Sequence, residues 1–268
     1  MPQSPMEQKN ADRFTGFAAA YDQARPAMPF YPVKIITGYL GRQPGTVVDL
    51  GSGTGLSAMV WKKNCTQVIG IEPSEDMLRI AKQKECEGVT FRQGFGNNTG
   101  LPDGCADAVI CSQSFHWMEP FSTLKEVNRL LGPGGVFATV DCDWPPVAPW
   151  QAEQAYSRLY ETVKQLEGEL NDVKNTFVRF DKKNHLANLQ KSGYFGYCRE
   201  ILFAHTEPCT AGRLVNLMLS QGSLQTILRR HPGLLQEQLA RFQRIINSAV
   251  PKGSFPIDFC YRMRVGVK

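Results

Sequence analysis

The chain has 268 residues, 42% of them apolar and 21% charged, and a net charge of +5. That is ample apolar material for one packed domain and too little charge bias for a disordered chain. No run reaches the ~18 apolar residues of a membrane span, residues 1–12 carry no signal-peptide core, and the 8 cysteines form no Cys-x-x-Cys pair. A membrane protein, a disulfide scaffold and a zinc module are thereby disfavoured, and the expectation is a cytoplasmic protein with reduced thiols and no metal.

Residues 1–12 are polar and are the one segment expected to lack order. Phe14 to Arg25 has helical character and stops at Pro26, and a second helix is predicted from about Pro32 to Leu40. Val47, Val48 and Leu50 then form a short buried strand that ends in Asp49-Leu50-Gly51-Ser52-Gly53-Thr54-Gly55. Without a Cβ, the glycines let the backbone turn sharply and lie against a ligand, and a helix from Leu56 to Lys63 would aim its N-terminal N–H groups at the same place. A nicotinamide-type Gly-x-Gly-x-x-Gly loop does not fit, because its third glycine would fall at position 56, which is Leu.

The second strand, 67–72, ends in Glu72, whose carboxylate can accept from both hydroxyls of a ribose. Ser74 caps a helix over 75–83, and a third strand, 89–93, leads into Gly94-Phe95-Gly96-Asn97-Asn98. A turn at Leu101-Pro102-Asp103-Gly104 precedes a fourth strand, 106–112, and Gln113-Ser114-Phe115-His116-Trp117 lies just past its end, where open α/β sheets place ligands. A helix over 119–131, a Gly132-Pro133-Gly134-Gly135 turn and a fifth strand over 136–141 follow.

Asp49 with glycines at 51, 53 and 55, Glu72, the Leu-Pro-Asp-Gly turn and the run Leu-Leu-Gly-Pro-Gly-Gly-Val-Phe together resemble the class I S-adenosylmethionine (SAM) dependent methyltransferases, small-molecule branch. The arm Tyr-Asp-x-x-Arg-Pro at 21–26 and the Gln-Ser-Phe-His-Trp loop are similar to the trans-aconitate and ubiquinone/menaquinone-biosynthesis methyltransferases. The resemblance implies a Rossmann-like, seven-stranded, mostly parallel sheet with an antiparallel last strand slotted between the fifth and sixth, and a helical lid over the C-terminal edge of the strands. It implies SAM as cofactor. Asp49 would orient its methionine end from beneath the loop of Gly51, Ser52 and Gly53, with Glu72 and Pro73 at the ribose. Gly96 and Asn97, or Asn98, would meet the adenine, where the family commonly has an acid, and Ser112 and Gln113 would complete the site.

Residues 142–150 are Pro-rich, an amphipathic helix spans about 152–170, a core helix 181–191, a sixth strand 197–204, more helices 210–250 and a last strand 257–267. One domain is expected over 1–268, with an N-terminal arm over 1–30 and lid segments over 142–180 and 205–250. Past His205 there are nine Lys or Arg against three acids. If that segment roofs the pocket, the substrate is an anion, with Arg25 and Arg213 as carboxylate clamps and Trp117 at the wall. Tyr21 and His116 are the catalytic candidates, His116 as a general base or donor at the methyl acceptor. The expected partner is a small molecule, neither nucleic acid nor membrane, for a monomer or homodimer. The alternative is a regulatory protein that holds SAM without transferring its methyl.

Overall fold

The computed structural model describes residues 5–268. In chain order its elements are α1 (Pro5–Asp12), α2 (Ala18–Ala24), α3 (Tyr31–Leu40), β1 (Thr46–Leu50), β2 (Gln67–Glu72), α4 (Glu75–Lys82), β3 (Val89–Gln93), β4 (Ala106–Ser112), α5 (Pro120–Leu130), β5 (Leu131–Cys142), α6 (Trp150–Glu169), α7 (Asn171–Lys174), α8 (His185–Ser192), β6 (Tyr197–Cys209), α9 (Ala211–Leu219), α10 (Gly222–Arg230), α11 (Gln236–Ala249) and β7 (Phe255–Val267). The seven strands form one sheet in the order β3-β2-β1-β4-β5-β7-β6, and β7 alone runs antiparallel to its neighbours. This is the expected Rossmann-like sheet. Because β1 is flanked by β2 on one side and β4 on the other, the chain leaves it in opposite directions, and a crevice opens at their C-terminal ends.

Near-continuous apolar runs such as Val47-Val48 and Val109-Ile110 fill the central strands because both faces of the sheet are covered. One face packs on α5 and α8 through Leu124, Val127, Leu130 and Leu189. On the other, the core runs from the sheet into a cap of α6, α9, α10 and α11 through Tyr156, Leu159, Leu217, Ile227 and Phe242. The cap segments 142–180 and 205–250 pack on each other rather than standing as separate flaps, with α6 against α10 and α11.

Three expectations are corrected. The segment 5–12 is helical: the Asn10 side chain donates to the Trp117 carbonyl at 2.7 Å and the Val178 carbonyl at 2.8 Å, and it accepts from the Val178 N–H at 2.9 Å. Residues 1–4 lie outside the described residues. The helix expected over 56–63 is only a 3₁₀ turn at Ala58–Trp61, whose three-residue repeat puts both of these residues into the core on one face. Strand β6 runs to Cys209 instead of Ala204 and pairs with β7 along its whole length, so the two overhang the end of β5 and carry the cap.

Candidate functional site

Two cavities meet at the C-terminal ends of the strands. The first, about 1140 Å³ including its open mouth, is lined by Gly51, Ser52, Gly53, Glu72, Pro73, Gly96, Asn97, Ser112 and Gln113, nine of the ten residues expected at the cofactor. The tenth, Asp49, lies underneath, fully buried, where one carboxylate oxygen accepts from Ser57 Oγ and the other has no partner. The turn itself is fixed by the Ile71 carbonyl, which accepts from Gly51 N–H at 2.8 Å and Ser52 N–H at 3.1 Å. Gly51 (φ +66°) must be glycine on two counts, since a Cβ there would stand 2.6 Å from the Ser114 Cβ. Gly53 (φ +57°) has nothing within 4 Å of where a Cβ would be, so the space it leaves belongs to the cavity.

Glu72 accepts from the Gly53 and Ser74 N–H groups, each at 2.8 Å, which aligns its carboxylate with the cavity wall while leaving lone pairs for further donors. Burial raises its carboxyl to about 7, and burial plus the nearby Glu72 charge raises Asp49 to about 7. The donor set suits SAM: a carboxylate for a ribose diol, a glycine-bared backbone for close approach, and a buried Ser52 hydroxyl and Asp49 oxygen without protein partners. The acid that the 94–98 loop lacks arrives from α1, since Glu7 lines this cavity and accepts from Asn97 Nδ2. Met118, lying against Gly51 and Gly96, is another wall residue the sequence did not single out. Neither carries a sequence signal, as Glu7 sits in a polar stretch without apolar periodicity.

The second cavity, about 2280 Å³ with its open mouth, is rimmed by eight Lys or Arg and four acids. His116 lines it and does not line the first, whereas Phe14, Tyr21, Arg25, Gln113, Trp117, Cys142 and Trp144 line both and form the throat between them. Arg25 stacks on Tyr21 (5.1 Å) and Trp144 (4.8 Å), and donates to the Ser220 carbonyl at 3.0 Å. Its Nε is buried without a partner, and it forms no ion pair among the described residues. Tyr21 is raised by burial, and burial takes the Cys142 thiol to about 12.

Behind the throat, Asp141 on β5 is a buried hub. It meets Lys182 at 3.0 Å, His185 at 3.1 Å, Arg264 at 2.9 Å and His116 at 3.7 Å. Burial alone would raise this carboxyl, yet Lys182 and the two imidazoles hold it well below the usual range. His116 goes the other way: burial first, then Lys182, push it down to about 3, so it stays neutral and is a poor proton acceptor. Arg213 is not brought to the site. It pairs with Glu207 at 2.7 Å, donates to the Pro208 carbonyl at 2.8 Å and lines neither cavity. The rim charge also comes from elsewhere than expected: only Arg262 and Arg264 belong to the C-terminal quarter, and Arg13, Arg25, Lys164, Arg179, Lys182 and Lys183 precede it.

Residues 48–139 match the methyltransferase domain family. An uncharacterised methyltransferase of Mycobacterium tuberculosis is 31% identical over 122 residues, 46% of this chain and 49% of that protein. A Saccharomyces cerevisiae protein described as an S-adenosylmethionine-dependent methyltransferase is 29% identical over 52% of this chain and 48% of its own. These matches span about half the length of either relative. In fold, a solved structure from Anaeromyxobacter dehalogenans described as a type II methyltransferase covers 91% of this chain and 97% of its own, with a TM-score of 0.69 at 20% identity. Sequence and fold point the same way: residues 48–139 are similar to a methyltransferase domain, and the chain as a whole shares its fold with the Anaeromyxobacter structure. Among the described residues no helix is long and apolar enough to cross a membrane, and no cluster of His, Cys, Asp and Glu could hold a metal.

Proposed function

We propose that the protein is a SAM-dependent methyltransferase whose acceptor is a small organic anion, methylated on a carboxylate oxygen. One observation carries the reading: the throat where the two cavities meet has a single charged residue, Arg25, and that guanidinium has no carboxylate partner among the described residues. When bound, the cofactor supplies an electrophilic sulfonium methyl, so the protein's tasks are to align an acceptor and exclude water. Phe14, Tyr21, Trp117 and Trp144 supply the dry walls, and their faces favour a cationic sulfur. Arg25 holds an acceptor carboxylate in a fixed plane by paired N–H bonds, which a Lys could not do.

The protonation states favour an acceptor that needs no base. Tyr21 and Cys142 keep their protons, and His116, held near 3, binds one too weakly to take it from a hydroxyl or ammonium. His116 then serves as a neutral hydrogen-bonding wall group, and Tyr21 as a packing and positioning group over Arg25. A carboxylate is already a nucleophile in the ionised form that the rim attracts. The second, cation-rimmed cavity also favours an enzyme over a regulatory SAM holder, which has no use for it.

Incubation with methyl-labelled SAM and a panel of carboxylic acids, phenols and amines tests this. The expected product is a base-labile methyl ester, and Arg25→Ala should raise KM for the acid by about 10- to 100-fold, as for a lost charged hydrogen bond of ~1.5–3 kcal/mol. S-Adenosylhomocysteine affinity should change less than twofold. Turnover of amines or neutral phenols with none of the acids would overturn the proposal.

A further inference from the structure

Gln113 is the only non-glycine among the described residues with a positive φ, +57°. A β-carbon in the left-handed region is unfavourable, and such strain persists where the surroundings enforce it. The enforcement is visible on both sides of the residue. Its N–H donates to the Val140 carbonyl at 2.9 Å, and its Oε1 accepts from Lys182 Nζ at 3.2 Å. Lys182 is in turn held at 3.0 Å by Asp141, the carboxylate that Arg264 and His185 anchor from behind.

This chain of contacts settles which way the amide faces. An ammonium donates and never accepts, so the atom against Lys182 has to be the carbonyl oxygen, and the NH₂ is turned away from it. Gln113 Nε2 has no partner among the described residues and is not sealed from solvent. The residue lines both cavities and shares their throat with Arg25.

We propose that Gln113 is a specificity-determining donor for the acceptor: its amide NH₂ binds the second face or oxygen of the carboxylate held by Arg25, and Lys182 and Asp141 are positioning residues that fix the amide's orientation. The inference rests on the carboxylate reading above and adds to it the group that selects a planar anion over a neutral isostere. A hydroxyl or amine at the throat would meet two donors, Arg25 and the Gln113 NH₂, and no carboxylate to accept its proton. The strained backbone is explained by the same role, because the left-handed turn is what brings a side chain from the end of β4 into the throat.

The test titrates glutarate, citrate and benzoate into the S-adenosylhomocysteine-loaded protein and follows tryptophan fluorescence, Trp117 and Trp144 being throat residues. At least one acid should bind the wild type. Gln113→Glu keeps the shape and an oxygen for Lys182 but replaces the NH₂ donors with a negative charge, and it should weaken that acid tenfold or more while S-adenosylhomocysteine affinity stays within twofold. Gln113→Gly relieves the strained φ, so it should lose the same acid affinity with Tm at or above the wild-type value, an opposition that a merely structural residue would not give. Unchanged acid binding by Gln113→Glu overturns the inference and leaves the carboxylate reading standing. Loss of S-adenosylhomocysteine affinity as large as the loss for the acid also overturns it, by making Gln113 a cofactor residue. If the wild type takes up S-adenosylhomocysteine and none of the three acids, the carboxylate reading fails and this inference with it.

Discussion

The two cavities share a throat but are made of different material. The first cavity is built largely from backbone, at the ends of four adjacent strands: Gly51 and Gly53 with their exposed peptide edges, Glu72 held by two N–H groups, Gly96 and Asn97 after β3, and Ser112 at the end of β4. The second cavity is built from side chains that come from the arm, β5, α6, the segment after α7 and the stretch of β7 that pairs with β5. A backbone site is specified by a few residues close together in sequence. A side-chain site depends on how distant segments pack, so its identity resides in ion pairs that form only when the cap is assembled.

The largest expected effect comes from breaking the second region. Arg13 on the arm and Glu167 on α6 pair at 3.0 Å with side chains only 1% and 6% exposed, and the guanidinium lies 3.9 Å over the Phe177 ring. Glu167 also accepts from Arg179 at 2.9 Å and from Ser223. Removing this carboxylate leaves a cation buried, and burial already pulls Arg13 down to about 10. Glu167→Ala should therefore cost about 3–5 kcal/mol of stability in a denaturant titration. Loss of less than ~1 kcal/mol would mean that water already reaches the pair and that the arm is not clamped by it.

A smaller effect is expected from the first region, and it is read at the cofactor. Gly53→Val places a branched side chain at φ +57° and into the space bared for the ligand. S-Adenosylhomocysteine affinity should fall ~30-fold or more, corresponding to about 2 kcal/mol. Isothermal titration checks it, and an unchanged affinity would show that the glycine serves the turn alone.

The same contrast explains what could be read in advance. The strands and the glycine turn followed from apolar runs punctuated by Asp49, the glycines and Glu72, the order of the sheet followed from the family resemblance, and nine of the ten residues expected at the cofactor line one cavity. Residues 56–63 misled because Trp61 and Ala58 share a 3₁₀ face as readily as a helical one. Charge was misplaced for a different reason. Arg213 looked free in sequence, but Glu207, six residues earlier near the end of β6, neutralises it, whereas Arg179 ends the expected lid segment and Lys182 opens a 3₁₀ turn where a core helix was expected, and neither side chain stood out as a cavity wall. Pairing across a fold is not a property of composition, so counting cations gave the sign of the pocket and not its residues.

The smallest effect, a dependence on pH, separates the first cavity from the wall of the second once more. Burial raises the Glu72 carboxyl from its ordinary 4.5 to about 7, so between these values the folded protein holds a proton that the unfolded chain has released. Its contribution to stability is therefore full below about pH 4.5 and is lost as pH rises through 7, and Asp49 acts in the same direction. His116 opposes them: kept neutral to about 3 in the folded state, it contributes stability above pH ~6.5 that is lost as pH falls toward 3. The wild-type curve mixes these slopes, and Glu72→Gln isolates one, since it cannot titrate and should show a flatter decline of Tm between pH 5 and 7. Binding gives the sharper readout. An ionised Glu72 accepts from a ribose diol more strongly than a protonated one, so S-adenosylhomocysteine affinity should climb by up to ~10-fold per pH unit below pH 7 and level off above it. Glu72→Gln should bind more weakly and with no such climb, and His116→Asn should leave the climb as it is. Should the slope persist in Glu72→Gln, the titrating group belongs to another part of the site, and the carboxylate at the end of β2 is not the one that meets the ribose.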